Sequence, residues 1–128
     1  MYITGLDHLV LTVKDIQTTI QFYTSVLGMN HVNFAKNRHA MQFDNQKINL
    51  HQQGDEIDPL AAKPTPGSAD LCFITDIPLE NVIKHIQSCG VKVIAGPVLR
   101  IGAACTLQSI YLRDPDDNLI EISNEMKE

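Results

Sequence analysis

From Leu6 to Val13 apolar and polar positions alternate. Leu9, Leu11 and Val13 share one face, while Leu6, Val10 and Thr12 share the other with His8. The stretch therefore reads as a strand buried on both sides that nevertheless carries an imidazole. A period of 3.6 follows. Asp15 is placed to cap a helix, Ile16, Ile20, Tyr23 and Leu27 form its stripe, and Gly28 suits a left-handed terminus, which predicts a helix over about 16–27. Strand-like segments come next near 30–35, 38–44 and 47–52. The order then repeats: "ADLCFIT", a helix opened by Pro78 with the stripe Leu79, Val82, Ile83 and Ile86, a closing Gly90, and strand-like segments near 92–95, 106–113 and 118–123.

His8 to Asp70 and Gly28 to Gly90 are both steps of 62 positions, so strand, helix and glycine recur in phase. The chain thus reads as α+β, built from two βαβββ modules, over about 4–53 and 69–124. "GDEIDPLAAKPTPGS" between them, about 54–68, is a connector rich in turn residues. About 60 residues per module is marginal for independent folding, so one domain over 1–128 with a shared core is expected. The step from His51 to Glu121 is 70 positions, eight longer than the repeat, and the surplus falls in "AGPVLRIGAACT", which is expected to act as a lid.

The first and last strands of each module carry a metal-capable group opposite their most apolar positions. His8 opposes Leu9 and Leu11, Asn49 and His51 oppose Ile48 and Leu50, Asp70 opposes Leu71 and Phe73, and Glu121 lies between Ile120 and Ile122. Singly, each has a structural reading: a hydrogen-bonded strand histidine, a loop-side histidine, a strand-edge charge. Glu121 resists such a reading, because a carboxylate near a strand centre is costly unless paired. Two imidazoles and two carboxylates together meet the preferences of Zn, Ni, Co, Mn or Fe. The other histidines, His31, His39 and His85, read as surface residues, and Cys72 and Cys89 as packing rather than nucleophiles. Arg38, Arg100 and Arg113 could grip an anionic substrate tail, with surface solvation as their plainer role.

A net charge of -5 with only 10 Lys and Arg and no basic run argues against nucleic acid. Three cysteines without CxxC spacing argue against a disulfide framework, and the absence of a leader-like or long apolar stretch argues for an unexported protein that does not cross a membrane. A cytoplasmic location is expected. The partners left are small molecules or a second copy.

"LDHLVLTVKD", "FYTSVLGM" and "YLRDPDDNLIEI" resemble the vicinal oxygen chelate superfamily, which includes glyoxalase I, fosfomycin-modifying thiol transferases, extradiol dioxygenases and bleomycin-binding proteins. "FDNQKINLH", "KPTPGSADLCFITDIPLE" and "SIYLRDPDDNLIEIS" are similar to a subgroup of glyoxalase-domain-containing and bacterial virulence-associated proteins. The resemblance implies an open eight-stranded barrel holding a divalent metal ion, and often a homodimer. It maps the family's first-strand histidine onto His8 and its last-strand glutamate onto Glu121. Glyoxalase I supplies a glutamate and a histidine where this chain has His51 and Asp70; sliding the strand by two residues would present Asn49 instead of His51. The implied metal set is His8, His51, Asp70 and Glu121, with Glu121 as catalytic base and Asp70 second. The implied reaction is that of lactoylglutathione lyase, in which the ion chelates adjacent oxygens of a substrate such as a thiol adduct of a 2-oxoaldehyde and stabilises an enediolate. An extradiol dioxygenase using iron, a thiol transferase, and a metal-free binding protein are the alternatives. The last is disfavoured by an aromatic content of 5% without tryptophan.

Overall fold

In a computed structural model, residues 1–127 are described, and the chain divides into two compact units, residues 1–67 and from Ser68 onward. The first contains β1 (His8–Val13), α1 (Ile16–Ser25), β2 (Asn30–Phe34), β3 (Arg38–Phe43) and β4 (Gln46–Gln52). The second contains β5 (Asp70–Ile74), α2 (Leu79–Ser88), β6 (Ala95–Ile101), β7 (Thr106–Arg113) and β8 (Leu119–Glu125). Each is βαβββ, and the sheet orders match: β1-β4-β3-β2 and β5-β8-β7-β6. In each sheet the first strand pairs parallel with the last, and the remaining pairs are antiparallel.

The helix signals act as read. The Asp15 carboxylate accepts from the Thr18 N–H at 3.0 Å, while Gly28 and Gly90 adopt φ of +72° and +76° where the two helices turn back. Pro78 stands one position earlier than expected, at the N-cap, and has no side chain with which to cap. Asn124 does so instead, accepting from the Leu79 N–H at 2.9 Å and donating to the Thr75 and Ile77 carbonyls at 2.8 and 2.9 Å. Gln52 plays the same part in the first module: its Oε1 accepts from the Ile16 N–H at 3.1 Å and its amide donates to the Lys14 carbonyl. In both modules, then, the last strand holds the start of the helix through a side-chain amide.

In the first module α1 lies on β2, β3 and β4, and Tyr23, Leu11, Val13, Met41, Ile48 and Leu50 are buried. In the second, Ile86, Ile110, Leu112, Ile120 and Ile122 are buried. Each such side chain contributes about 1.5–3 kcal/mol relative to exposure. β1 is not buried on both sides: Leu11 and Val13 are, but His8 and Val10 are exposed.

The second module departs from expectation at β6, which spans 95–101 rather than 92–95. Gly96 and Pro97 look like breakers, yet β6 is an edge strand and its ladder with β7 absorbs them in a register shift between Ala95 and Val98. The segment read as a lid is accordingly this strand and a tight turn, in which the Gly102 N–H donates to the Cys105 carbonyl at 2.9 Å.

Candidate active-site faces

Strand alternation gives each sheet a second face, opposite the buried apolar one. In the first module the β1–β4 register sets His8 beside Lys47, Val10 beside Asn49 and Thr12 beside His51. In the second, Asp70 is beside Leu119, Cys72 beside Glu121 and Ile74 beside Ser123. Since Val10 and Cys72 are 62 positions apart, the first-module equivalent of Glu121 is Asn49, and that of His51 is Ser123. Gln52 and Asn124, with their shared helix-holding role, fix the same correspondence.

Within the first module the two expected imidazole ligands lie apart along the strands. His8 and His51 are four register positions apart, about 13 Å along the strands, whereas ligands to one ion each need about 2 Å from it. Asp70 and Glu121 are two positions apart in their ladder. Among the described residues, no three His, Cys, Asp or Glu side chains form a group that could hold a metal ion.

Individually, several of these groups are uncommitted. His8 is exposed, and its Nδ1 is 2.8 Å from the Asp7 carboxylate, which leaves Nε2 open. Asp70 is exposed. Glu121 is half-buried, receives the Ser123 hydroxyl at 3.5 Å and is hydrogen-bonded to the Cys72 thiol beside it. That hydroxyl is itself 2.6 Å from Ser109 Oγ and 3.3 Å from Cys72 Sγ, both serines being fully buried. Cys72 is exposed rather than packed into the core; partial burial, followed by the Glu121 charge and hydrogen bond, raises its thiol pKa against the lowering effect of the Ser123 hydrogen bond, which keeps it protonated at neutral pH. Tyr111, level with Glu121 in the β7–β8 ladder, accepts from Arg100 Nε at 2.8 Å.

His51 and Asn49 are both buried, and neither His51 Nε2 nor Asn49 Oδ1 has a hydrogen-bond partner. Burial, and next the Arg38 charge, holds the His51 imidazole below its ordinary pKa of 6.5, against a smaller opposing pull from Glu56. The ring is neutral at pH 7.

Two arrangements escaped sequence reasoning. His31 and His39 stack with ring centroids 5.1 Å apart and Nε2 to Nδ1 at 2.8 Å. Only strand pairing, which sets His31 opposite Met41 and His39 opposite Asn33, could have revealed them as a pair. "DPDDN", which read as a simple turn, is a buried network in which Asp114 accepts from the Asp116 and Asn118 N–H groups at 2.9 Å each and from Asn118 Nδ2 at 2.8 Å.

Known proteins share this architecture. The virulence protein STM3117 of Salmonella typhimurium is 58% identical over 96% of this chain and 85% of its own length. Its crystal structure superposes with a TM-score of 0.97 over 98% of this chain and all of that one, at 56% identity. The glyoxalase domain-containing protein RDO1 of Mycosarcoma maydis is 51% identical over 95% of this chain and 69% of its own length. At 18% identity, a lactoylglutathione lyase from Agrobacterium tumefaciens shares the fold, with a TM-score of 0.72 over 94% of this chain and 93% of that one. A family model matches residues 5–122, and with these likenesses the chain belongs to the glyoxalase/bleomycin resistance protein/dioxygenase superfamily.

Proposed function

We propose that the chain is a divalent-metal-dependent enzyme of glyoxalase type acting on a small molecule with adjacent oxygens, with His8, Asp70 and Glu121 as ion ligands and Glu121 as proton acceptor. The observation that carries this reading is the weakly committed character of these donors on the helix-free faces: an imidazole with one nitrogen held by Asp7, an exposed carboxylate, and a half-buried carboxylate held only by a 3.5 Å hydroxyl contact and a thiol among the described residues. One imidazole and two carboxylates suit a first-row divalent ion. His51 and Asn49 are left outside the ligand set, because the register parts His51 from His8.

A bound ion would supply Lewis-acid polarisation of the substrate oxygens. Glu121 takes a proton from the carbon beside a carbonyl and returns it to the neighbouring carbon, an isomerisation that consumes no other reactant. Asp7 orients the His8 ring, and the buried Ser109–Ser123 pair positions the Glu121 carboxylate.

The test is ion content of protein purified without added nickel or a chelating tag, then activity on a panel of hemithioacetals with each metal, for the parent and Glu121→Gln. The amide keeps the size but neither the charge nor the proton affinity, so ion affinity falls and turnover drops about 10²-fold or more. A variant that holds its ion and matches the parent on every substrate removes Glu121 from both roles. The proposal includes a homodimer, checked by sedimentation equilibrium, and action in the cytoplasm, checked by fractionation.

A further inference from the structure

We propose that the first module carries a binding site for an oxyanion, a carboxylate or phosphate group of the substrate, formed by Asn49 and His51 on β4 with Arg38 on β3 and Lys47 beside them. The inference rests on the reading of the chain as a small-molecule enzyme and names the charge of what it takes.

Three independent observations converge. Asn49 and His51 are 6% and 5% exposed, and Asn49 Oδ1 and His51 Nε2 are buried without a hydrogen bond. A buried polar atom left unpaired costs about 1–3 kcal/mol, and two of them two residues apart on one strand face form a surface that a polar ligand would satisfy. Next, cations gather there. His39 pairs with Leu50, so one step further along the ladder Arg38 comes level with His51, where its charge is felt. Arg38 and Lys47 both stand over the Phe34 ring, at 5.0 and 4.0 Å from its centroid, so two positive groups crowd one aromatic. Among the described residues neither has a carboxylate within ion-pair distance. A cation–π contact accounts for where the stems lie, but not for two cations brought together with no carboxylate in ion-pair distance in a chain of net charge -5; Glu56, whose pull on His51 is smaller than that of Arg38, is the acidic group whose charge reaches the site. Finally, the donors suit an oxyanion. A neutral imidazole offers one N–H, the Asn49 amide turns to present its NH2, and the guanidinium fork matches two oxygens at once.

The experiment titrates the full chain with inorganic phosphate and, separately, with pyruvate up to tens of millimolar, at constant ionic strength maintained with chloride. It follows the His51 ring Cε1–H resonance and the thermal midpoint. One of the two probes is expected to bind saturably and raise the midpoint, and the tighter one identifies the group. Arg38→Met keeps the half-buried stem and His51→Leu keeps the buried volume. Each should weaken the probe at least tenfold while the circular dichroism spectrum stays that of the parent. Asn49→Ala is the second reporter if His51→Leu fails to fold. No saturable response to either probe, or a response that survives Arg38→Met, overturns the proposal. Divalent-ion binding by the same proteins is scored separately. Anion binding without ion binding sinks the metal enzyme alone, and ion binding without an Arg38-dependent anion response sinks this site alone.

Discussion

Replacing Asn118 by Ala would measure how much the turn before β8 contributes. Asn118 is 1% exposed and Asp114 4%. The Asn118 amide donates to Asp114 Oδ2 at 2.8 Å and accepts from the Ala69 N–H at 2.9 Å, tying the turn to the residue that leads into β5. Alanine removes both bonds but leaves the Asp114 carboxylate and the Ala69 amide in place. A hydrogen bond to a charged group is worth about 1.5–3 kcal/mol and a neutral one about 0.5–1.5 kcal/mol, which together give a loss of about 2–4.5 kcal/mol. The surviving backbone donors, Asp116 and Asn118 N–H, still hold Asp114, so the value should fall inside that range rather than above it. Urea denaturation followed by far-UV circular dichroism is the assay, with an unchanged m-value as the condition for interpreting the midpoint as stability. A loss under about 1 kcal/mol would mean that water replaces the amide at both partners, and the argument that this turn is a buried network would fail.

Acidification should destabilise the protein through His51. Its folded pKa lies below the unfolded 6.5, so the unfolded state binds more protons, and the stability present above about pH 6.5 is lost as pH falls toward the folded value. Urea midpoints of His51→Leu between pH 5 and 8 should show a flatter profile than the parent, and parallel profiles would refute the assignment. Gly96→Ala should be severely destabilising: φ is +98° there, costing about 1–3 kcal/mol for a side chain, and the new Cβ would overlap the Ser109 carbonyl and Ile110 Cα. Thermal unfolding would show it; a midpoint within a degree of the parent contradicts the close approach of β6 to β7. Asn124→Ala removes the bonds that hold the start of α2 and should cost about 1–3 kcal/mol. Amide exchange should quicken first at Leu79 and its neighbours.

Most of the architecture was legible because its signals are local. Asp15, Gly28 and Gly90 act within their own turns, and alternation in 106–113 needs no partner to be read. What escaped depends on pairing. β6 was misplaced because Gly96 and Pro97 break a strand in isolation, while an edge ladder tolerates them. The four polar positions were visible one by one, yet choosing between Asn49 and His51 needed the partner strand: both point to the same side, so no argument from alternation separates them. His31 and His39, eight positions apart, meet only because β2 and β3 form a hairpin.

The same register divides the repeat into a face that is kept and a face that is not. On the helix side the equivalents are Leu9 and Leu71, Leu11 and Phe73, Ile48 and Ile120, Leu50 and Ile122, apolar for apolar throughout. A core asks for apolar volume, and at these positions both modules meet that demand in the same way. On the opposite side His8 has its equivalent in Asp70, Val10 in Cys72, Asn49 in Glu121 and His51 in Ser123, and no pair has the same chemistry. The two modules form the same ladder with different side chains on this face. The first module presents imidazoles, an amide and nearby cations, and the second presents carboxylates, a thiol and hydroxyls. Carboxylates, which only accept, are concentrated on the second set, while the imidazoles, amide and nearby cations of the first can donate, so one repeated ladder carries two chemically different faces.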